Sequence, residues 1–466
     1  MGIIPFQRNY FIKFMVFNSS ENYVNIFHFD RFPCYYCVMK ILSITAQKPH
    51  STGSGTYLTE LVKAFGRMGF EQAVVCGIYP DDEVDFPEGV VCYPVFFTKS
   101  DSKAPAGIDL FAPCKVNDSP VSLLSALPFP IVGMSDIMPY GSTRYREMTP
   151  GMISQFEEAF MDAAGRAIDE LDPDLIICHH LFLLTALVKK HFPYRRVIGI
   201  SHGTDLRQMI NCDGLREMVR PYIAKLDKAL ALHGDQRGQI IDIFGMDPSK
   251  VSVIGSGYNS RLFNTDERIE RMPGEPLRIC YAGKISRPKG VPELMTALAR
   301  LADDSDTPPF KLMMAGGCQD EVLMDALDGL PGYAEWLGQI PQPALAELLR
   351  RSDIFVLPSY FEGLPLVLIE AMAAGAVPVS TDLPGVKDWI DANVTGPNVI
   401  YVPMPEMKSI DEPTDAGRDA FVNNLYTALK DAAAGFETGR LPGPLPGTAS
   451  ITWDGLACRL LDICNK

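Results

Sequence analysis

The chain has 466 residues, of which 47% are apolar and 21% charged, and its formal net charge is −15. Such values describe a globular protein with room for two or three domains. They argue against a general nucleic-acid binder and against an electrostatic membrane anchor, but not against a local basic cleft. No run reaches the roughly 18–20 apolar residues of a membrane span. The 11 cysteines are odd in number and scattered, several in apolar strands (Cys76, Cys178, Cys280). That favours reduced, buried thiols and a cytoplasmic setting. Cys34-Tyr-Tyr-Cys37 is a single Cys-x-x-Cys with no second pair to complete a zinc site.

Residues 1–38 are aromatic and Asn-rich without steady periodicity, and Met39-Lys-Ile-Leu-Ser-Ile-Thr45 then looks like a natural start followed by a first strand. Polar residues break every apolar run of the prefix and no small-residue cleavage site stands out, which disfavours a signal peptide. The prefix is expected to be a non-native or poorly ordered extension. From Met39 a strand-loop-helix unit begins, with the loop over 48–56 and an amphipathic helix over 57–68. Small residues ahead of a helix N-terminus let backbone amides approach an anion. Gly53, Ser54 and Gly55 suit that use, and equally a plain turn. Strand 74–77 follows. Residues 80–150, rich in Pro, Asp, Ser and aromatics, read as an irregular excursion with short strands. There Arg144, Tyr145 and Arg146 are acceptor contacts or solvated loop residues. A helix is predicted over 150–171.

Two apolar strands then end in polar residues. Asp174-Leu-Ile-Ile-Cys-His-His180 precedes a helix over 181–191, and Arg196-Val-Ile-Gly-Ile-Ser-His-Gly-Thr-Asp205 sets His202 at a strand's carboxyl end. By chemistry alone His202 is a structural hydrogen-bonder or a catalyst. Strands at 228–233 and from 251 follow, and the charged stretch 264–276 reads as an interdomain linker. Strand 277–282 leads into a loop bearing Gly283, Lys284, Arg287, Lys289 and Gly290, with a helix from Pro292. Three cations beside a strand end form either a diphosphate clamp or a solvated basic loop. A strand and Gly turn over 311–317, the loop 336–341 and a helix over 343–351 come next.

The apolar strand 353–357 is followed by a loop with Glu362 and Gly363, a helix over 366–374 carrying Glu370, and a strand from Val377. In open α/β sheets that carboxyl edge is where ligands bind. Two carboxylates eight positions apart can each accept hydroxyl hydrogen bonds, or are a solvated loop residue and a helix-face charge. Residues 405–450 read as looser, and 451–464 as a helix able to pack back onto the first domain.

At Ser359, Glu362, Gly363, Glu370, Ala371, Met372, Ala373, Gly375, Pro378 and Val379 the chain resembles the donor-site signature of retaining glycosyltransferases of family 4, which have the GT-B fold. That signature is Ser-x-x-Glu-Gly, a second glutamate eight positions after the first, Ala-Met-Ala-x-Gly and a Pro-Val strand. The resemblance implies that Glu362, with Gly363 and Leu364, faces the donor sugar and that Glu370 binds the ribose hydroxyls. Ser201-His-Gly-Thr-Asp205 resembles the segment whose histidine touches the donor sugar, which implies a catalytic role for His202. Gly53, Ser54 and Gly55 resemble the glycine-rich loop over the donor phosphate, with Gly-Ser-Gly in place of adjacent glycines. Gly283, Lys284 and Lys289 resemble a Gly-Arg-Leu…Lys-Gly pattern on the diphosphate. Lys284 stands where arginine is usual, so a point charge replaces a bidentate grip. Gly338, Gln339 and Ile340 resemble the loop whose backbone holds the nucleobase. His179 and His180 resemble a less specific position and receive no role. The resemblance spans 39–400, with Gly255-Ser-Gly257 where Pro-Asn-Gly is usual.

The expected fold class is therefore α/β, GT-B: two doubly wound Rossmann-like domains facing each other across a cleft, their apolar strands in parallel sheets covered on both faces. The expected divisions are an extension at 1–38, an acceptor-side domain at 39–265, a nucleotide-sugar domain at 276–450 and a helix at 451–466. The expected function is metal-independent, retaining transfer of a sugar from a nucleoside diphosphate sugar to an acceptor hydroxyl, with Lys284, Lys289, His202 and Glu362 as its machinery. Alternatives are a GT-B sugar-nucleotide epimerase and a non-catalytic sugar-nucleotide-binding protein. No cofactor is expected beyond the donor co-substrate. No Asp-x-Asp at a strand end asks for a metal. The acceptor is expected to be carbohydrate or lipid-linked, with no nucleic acid partner and no integral membrane segment. The expected location is cytoplasmic, with contact at the inner membrane face if the acceptor is lipid.

Overall fold

The computed structural model describes residues 39–99, 126–135, 138–272, 274–409, 412–443, 445–448 and 451–465. The expectation for residues 1–38 and the pair Cys34 and Cys37 lie outside them. Two parallel sheets dominate. The first runs β3-β2-β1-β6-β7-β8-β9, from β1 (Lys40–Thr45), β2 (Glu71–Ile78), β3 (Val91–Phe96), β6 (Leu175–His179), β7 (Val197–Ile200), β8 (Lys228–Ala231) and β9 (Val251–Val253). The short β4 (Val132–Gly133) and β5 (Thr143–Arg144) pair outside it. The second sheet runs β12-β11-β10-β13-β14-β15, from β10 (Leu277–Ala282), β11 (Phe310–Ala315), β12 (Ala334–Trp336), β13 (Ile354–Leu357), β14 (Val377–Thr381) and β15 (Ile400–Val402). Every neighbouring pair within both sheets is parallel. A parallel sheet must be covered on both faces, and β6, β7, β13 and β14 are buried along their whole length.

Helices of the first domain include α1 (Gly53–Arg67), α2 (Pro150–Leu171), α3 (Leu183–His191), α4 (Thr204–Asn211), α5 (Asp213–Ile223) and α6 (Gly234–Phe244). The second carries α7 (Val291–Asp303), α8 (Glu321–Asp328), α9 (Gln342–Arg350), α10 (Leu366–Ala373), α11 (Val386–Asn393) and α12 (Asp415–Glu437). α13 (Trp453–Asn465) follows. Strand order reverses between β1 and β6 in the first sheet and between β10 and β13 in the second. Chain connections diverge at such points and leave a crevice beyond the strands' carboxyl ends. Lys284, Lys289 and Glu362 follow β10 and β13, so they lie at the second of these crevices.

Two expectations about elements fail. Helix α1 begins at Gly53 rather than at 57: Thr52 caps it, its Oγ1 accepting from Gly55 N at 3.1 Å, so the Gly-Ser-Gly run is the first helical turn. The stretch read as loose holds the 23-residue α12, capped by Thr414 and burying Phe421, Val422, Leu425, Leu429, Ala432 and Ala433. Its flanks set the composition of that window, while the apolar stripe at helical spacing packs on α7 and Arg418 Nη1 reaches Glu293 at 2.9 Å.

α13 crosses back to the first domain. Trp453 meets Tyr57 of α1 edge to face, with centroids 5.2 Å apart, and Arg67 Nε donates to Asp454 Oδ1 at 2.8 Å. The chain leaves the second domain at a bridge of Thr395 with Gly447 and rejoins the first at a bridge of Tyr258 with Thr452. The described cysteines are free thiols, and among the described residues no helix is long and apolar enough to cross a membrane.

Candidate active site in the interdomain cleft

On the second domain, two glycines draw the loops together. Gly316 has φ +144, and a Cβ there would sit 1.7 Å from Gly283 O. Gly290 has φ +66, and its Cβ would sit 2.1 Å from Pro358 O. Only glycine permits both the dihedral and the approach. The loop after β10 is thereby pressed onto the loop after β13, and Lys289 Nζ donates to Glu362 Oε1 at 2.6 Å. Lys284 also lines the cleft. Burial and then the Lys289 charge lower its affinity for a proton, against an opposing pull from Glu362. Arg287, the third cation of the loop, is half exposed, pairs with Asp320 at 3.1 Å and is not part of the cleft wall.

Gln339 and Ile340 reach the cleft, whereas Gly338 does not. Its carbonyl accepts from Gly316 N at 2.8 Å and so ties the loop down. Gly283, Gly363 and Leu364 line the cleft. Glu370, on the inner face of α10, is 6% exposed. Burial first, and the nearby Glu60 charge second, push its carboxyl up to about 8. Sequence reading missed this partner, because Glu60 comes from α1 across the domain boundary.

The first domain supplies the facing wall. Gly53 and Ser54 line it at the N-terminus of α1, where amide dipoles favour an anion. Gly55 does not line it: its amide serves the Thr52 cap, and a Cβ would lie 2.8 Å from Lys48 O. Its role is close packing. His202 lines the cleft after β7. Its backbone is pinned by the buried Asp205, whose Oδ1 accepts from His202 N at 3.2 Å and from Ser201 Oγ at 3.0 Å, while Oδ2 accepts from Leu181 N at 2.7 Å. Asp205 thus ties β6 and β7 together at the crevice. Burial, then a neighbouring imidazole, hold His202 well below the usual histidine range, so the ring is neutral. Tyr57 of α1 abuts it edge-on at 5.1 Å. Neither Tyr57 nor the cleft-lining Gln47 and Arg207 carries a sequence signal of its own.

The two walls meet at backbone level. A Cβ on Gly363 would lie 2.7 Å from His202 O, and one on Gly203, at φ +87, would lie 3.4 Å from Gly363 Cα. The cleft they enclose measures about 600 Å³, within the usual range for small-molecule sites of roughly 300–1,000 Å³. It brings together Gly53, Ser54, His202, Gly283, Lys284, Lys289, Gln339, Ile340, Glu362, Gly363, Leu364 and Glu370. Among the described residues no group of three or more His, Cys, Asp or Glu is disposed to hold a metal.

Residues 263–407, which hold this loop system, match the family described as glycosyl transferases group 1. The second domain is a group 1 glycosyltransferase domain. Curated relatives agree. The chain is 29% identical over 190 residues to D-inositol 3-phosphate glycosyltransferase 1 of Catenulispora acidiphila, covering 37% of this chain and 45% of that protein. It is 23% identical over 357 residues to an alpha-maltose-1-phosphate synthase of Mycobacterium tuberculosis, covering 68% and 88%. Several of the curated relatives are thus matched over less than half their length. Among solved structures, sucrose-phosphate synthase of Thermosynechococcus elongatus superposes with TM-score 0.59 at 16% identity, covering 92% of this chain and 98% of that one. The Anabaena protein HepE, solved with UDP and glucose, gives 0.52 at 15%, covering 92% and 99%. The fold is GT-B.

Proposed function

We propose that this protein is a retaining, metal-independent glycosyltransferase that moves a sugar from a nucleoside diphosphate sugar to an acceptor hydroxyl. The observation that carries the reading is the single cleft in which Lys284, Lys289, Glu362 and Glu370 of the group 1 domain face His202 and the N-terminus of α1. Glu370 takes the ribose hydroxyls, Gln339 and Ile340 flank the base, and Lys284 and Lys289 take the diphosphate. Glu362 and His202 hold the sugar between the domains. The acceptor oxygen attacks the anomeric carbon on the face from which the phosphate departs. The bond from anomeric carbon to phosphate oxygen breaks as the new C–O bond forms, and the acceptor proton passes to a phosphate oxygen. The two ammonium groups offset the charge that grows there, a task for which preorganised cations are effective. The acceptor, carbohydrate or lipid-linked, enters from the first-domain side.

A ligand that binds only the folded chain raises its melting temperature by mass action. Melting is to be measured in EDTA with UDP, GDP, ADP, CMP and their sugar conjugates. A shift with one nucleotide is expected; no shift with any of them would overturn the donor site. With the donor known, His202→Ala is expected to lower kcat by about 100-fold, the usual scale for removing one preorganised hydrogen-bond donor at the reacting centre, while donor affinity by calorimetry changes little. Equal losses in both would reduce His202 to a structural residue.

A further inference from the structure

Behind His202, on the adjacent strand, stands a second histidine that takes no part in the cleft wall. His179 ends β6 and is 3% exposed. Its Nδ1 lies 3.1 Å from His202 Nε2, with the two ring planes only 9° apart and their centroids 5.3 Å apart, so the rings lie edge to edge. Its other nitrogen, Nε2, is buried and has no hydrogen-bond partner. The backbone leaves this pair little freedom: β6 and β7 are in register there, His179 opposite Ile200, and Asp205 ties the two strand ends.

That asymmetry bears on where the protons sit. A neutral imidazole has one N–H and one bare nitrogen. Burial is the first cause that keeps both rings neutral; the second is the His202 imidazole for His179 and the His180 imidazole for His202. Were His202 to donate through Nε2, His179 would carry its own proton on the unpartnered Nε2. A buried N–H with nothing to bond carries its full desolvation cost, a cost that the neighbouring His180, both of whose ring nitrogens are buried without partners, already meets once. With His179 donating through Nδ1, its one N–H is used in the pair and the unpartnered atom is a bare ring nitrogen.

We propose that His179 is a positioning residue: it donates Nδ1–H to His202 Nε2 and so locks His202, a ring of the cleft wall, as the tautomer that carries its proton on Nδ1. His202 is then a hydrogen-bond donor of fixed sense, suited to an oxygen of the donor sugar. That last use rests on the function proposed above; the tautomer does not.

The test uses the full chain labelled with 15N-histidine. Its 7 histidines give few signals, and His202 is assigned by their change in His202→Gln. Long-range 1H–15N spectra are expected to show His202 protonated on Nδ1. His179→Asn keeps an N–H where Nδ1–H stood, and should retain that tautomer with kcat within about threefold of the parent. His179→Asp offers only acceptors. It should move the His202 proton to Nε2 and lower kcat at least about tenfold, the order expected for one lost hydrogen bond to the reacting sugar, with donor KM within threefold. A parent His202 protonated on Nε2 overturns the proposal, and so do Asn and Asp variants with the same His202 tautomer. The parent spectrum alone decides the matter if a variant does not fold. An Nδ1 proton on His202 in a chain that transfers sugar from no donor would leave the lock standing and remove the catalytic reading.

Discussion

Lys289→Ala is expected to lower kcat/KM for the donor by about 10²–10³, the scale of losing one preorganised charge contact in a closed site. Two losses combine. The leaving diphosphate loses a cation, and Glu362 loses the partner that holds it at 2.6 Å. Glu362 already pulls on Lys284. Without Lys289 its carboxylate turns to the remaining ammonium and withdraws that one from the phosphate as well, so the loss exceeds half of the clamp. Steady-state kinetics and calorimetry with the nucleotide alone check this. Lys289→Arg, which retains the charge, should recover most of the nucleotide affinity. A change below about threefold in kcat/KM for Lys289→Ala would detach the loop from the diphosphate.

Glu370→Gln is expected to stabilise the ligand-free protein and to weaken nucleotide binding together. Burial and the Glu60 charge push this carboxyl up to about 8 from its ordinary 4.5. A raised carboxyl disfavours the folded state as pH rises: the penalty is absent below pH 4.5, grows through the interval to 8 and is complete above it. At full size it is on the order of 5 kcal/mol. Glutamine removes it, so the melting temperature of Glu370→Gln should exceed the parent's by a few degrees at pH 8 and match it at pH 4.5. Ribose hydroxyls donate to the ionised form, so nucleotide binding near neutral pH should drive a proton off Glu370. Calorimetry in buffers of differing ionisation enthalpy should show that release, together with a roughly 10–100-fold weaker affinity and no proton release for the glutamine variant, in line with losing charge-assisted hydrogen bonds. A variant that neither gains stability with pH nor loses affinity would place Glu370 outside the nucleotide site.

Much of this cleft was legible because its residues sit at the carboxyl ends of apolar strands. Lys284 and Lys289 after β10, Glu362 after β13 and His202 after β7 are each announced by a buried strand that stops at a polar run. The strand order that makes two of those ends adjacent is not local information, yet parallel apolar strands with helices between them leave few orders open. What stayed hidden depends on pairs distant in sequence. Glu60 reaches Glu370 only when the domains face each other, and His179 acquires meaning only from the pairing of β6 with β7. Gly55 and Gly338 look like their cleft-lining neighbours in a linear reading. Which of several adjacent glycines turns to a ligand and which to a carbonyl is set by the helical phase of α1 and by the hydrogen bond from Gly316. Helix α12 escaped for a different reason: Pro, Gly and Thr on its flanks outweighed a stripe of six buried apolar side chains.

The polypeptide passes between the domains twice, once through the charged linker before β10 and again between Gly447 and Thr452, where Tyr258 Oη and Thr448 Oγ1 sit 2.9 Å apart. A single tether would act as a swivel and let the halves turn freely about it. Two tethers behave like a pair of pins on a door. Bending about the line that joins them stays easy, while rotation about the long axis of the molecule strains one crossing or the other. When the jaws part to admit a donor, they should therefore reclose in the same register, with Gly363 returning to the carbonyl of His202 rather than sliding past it.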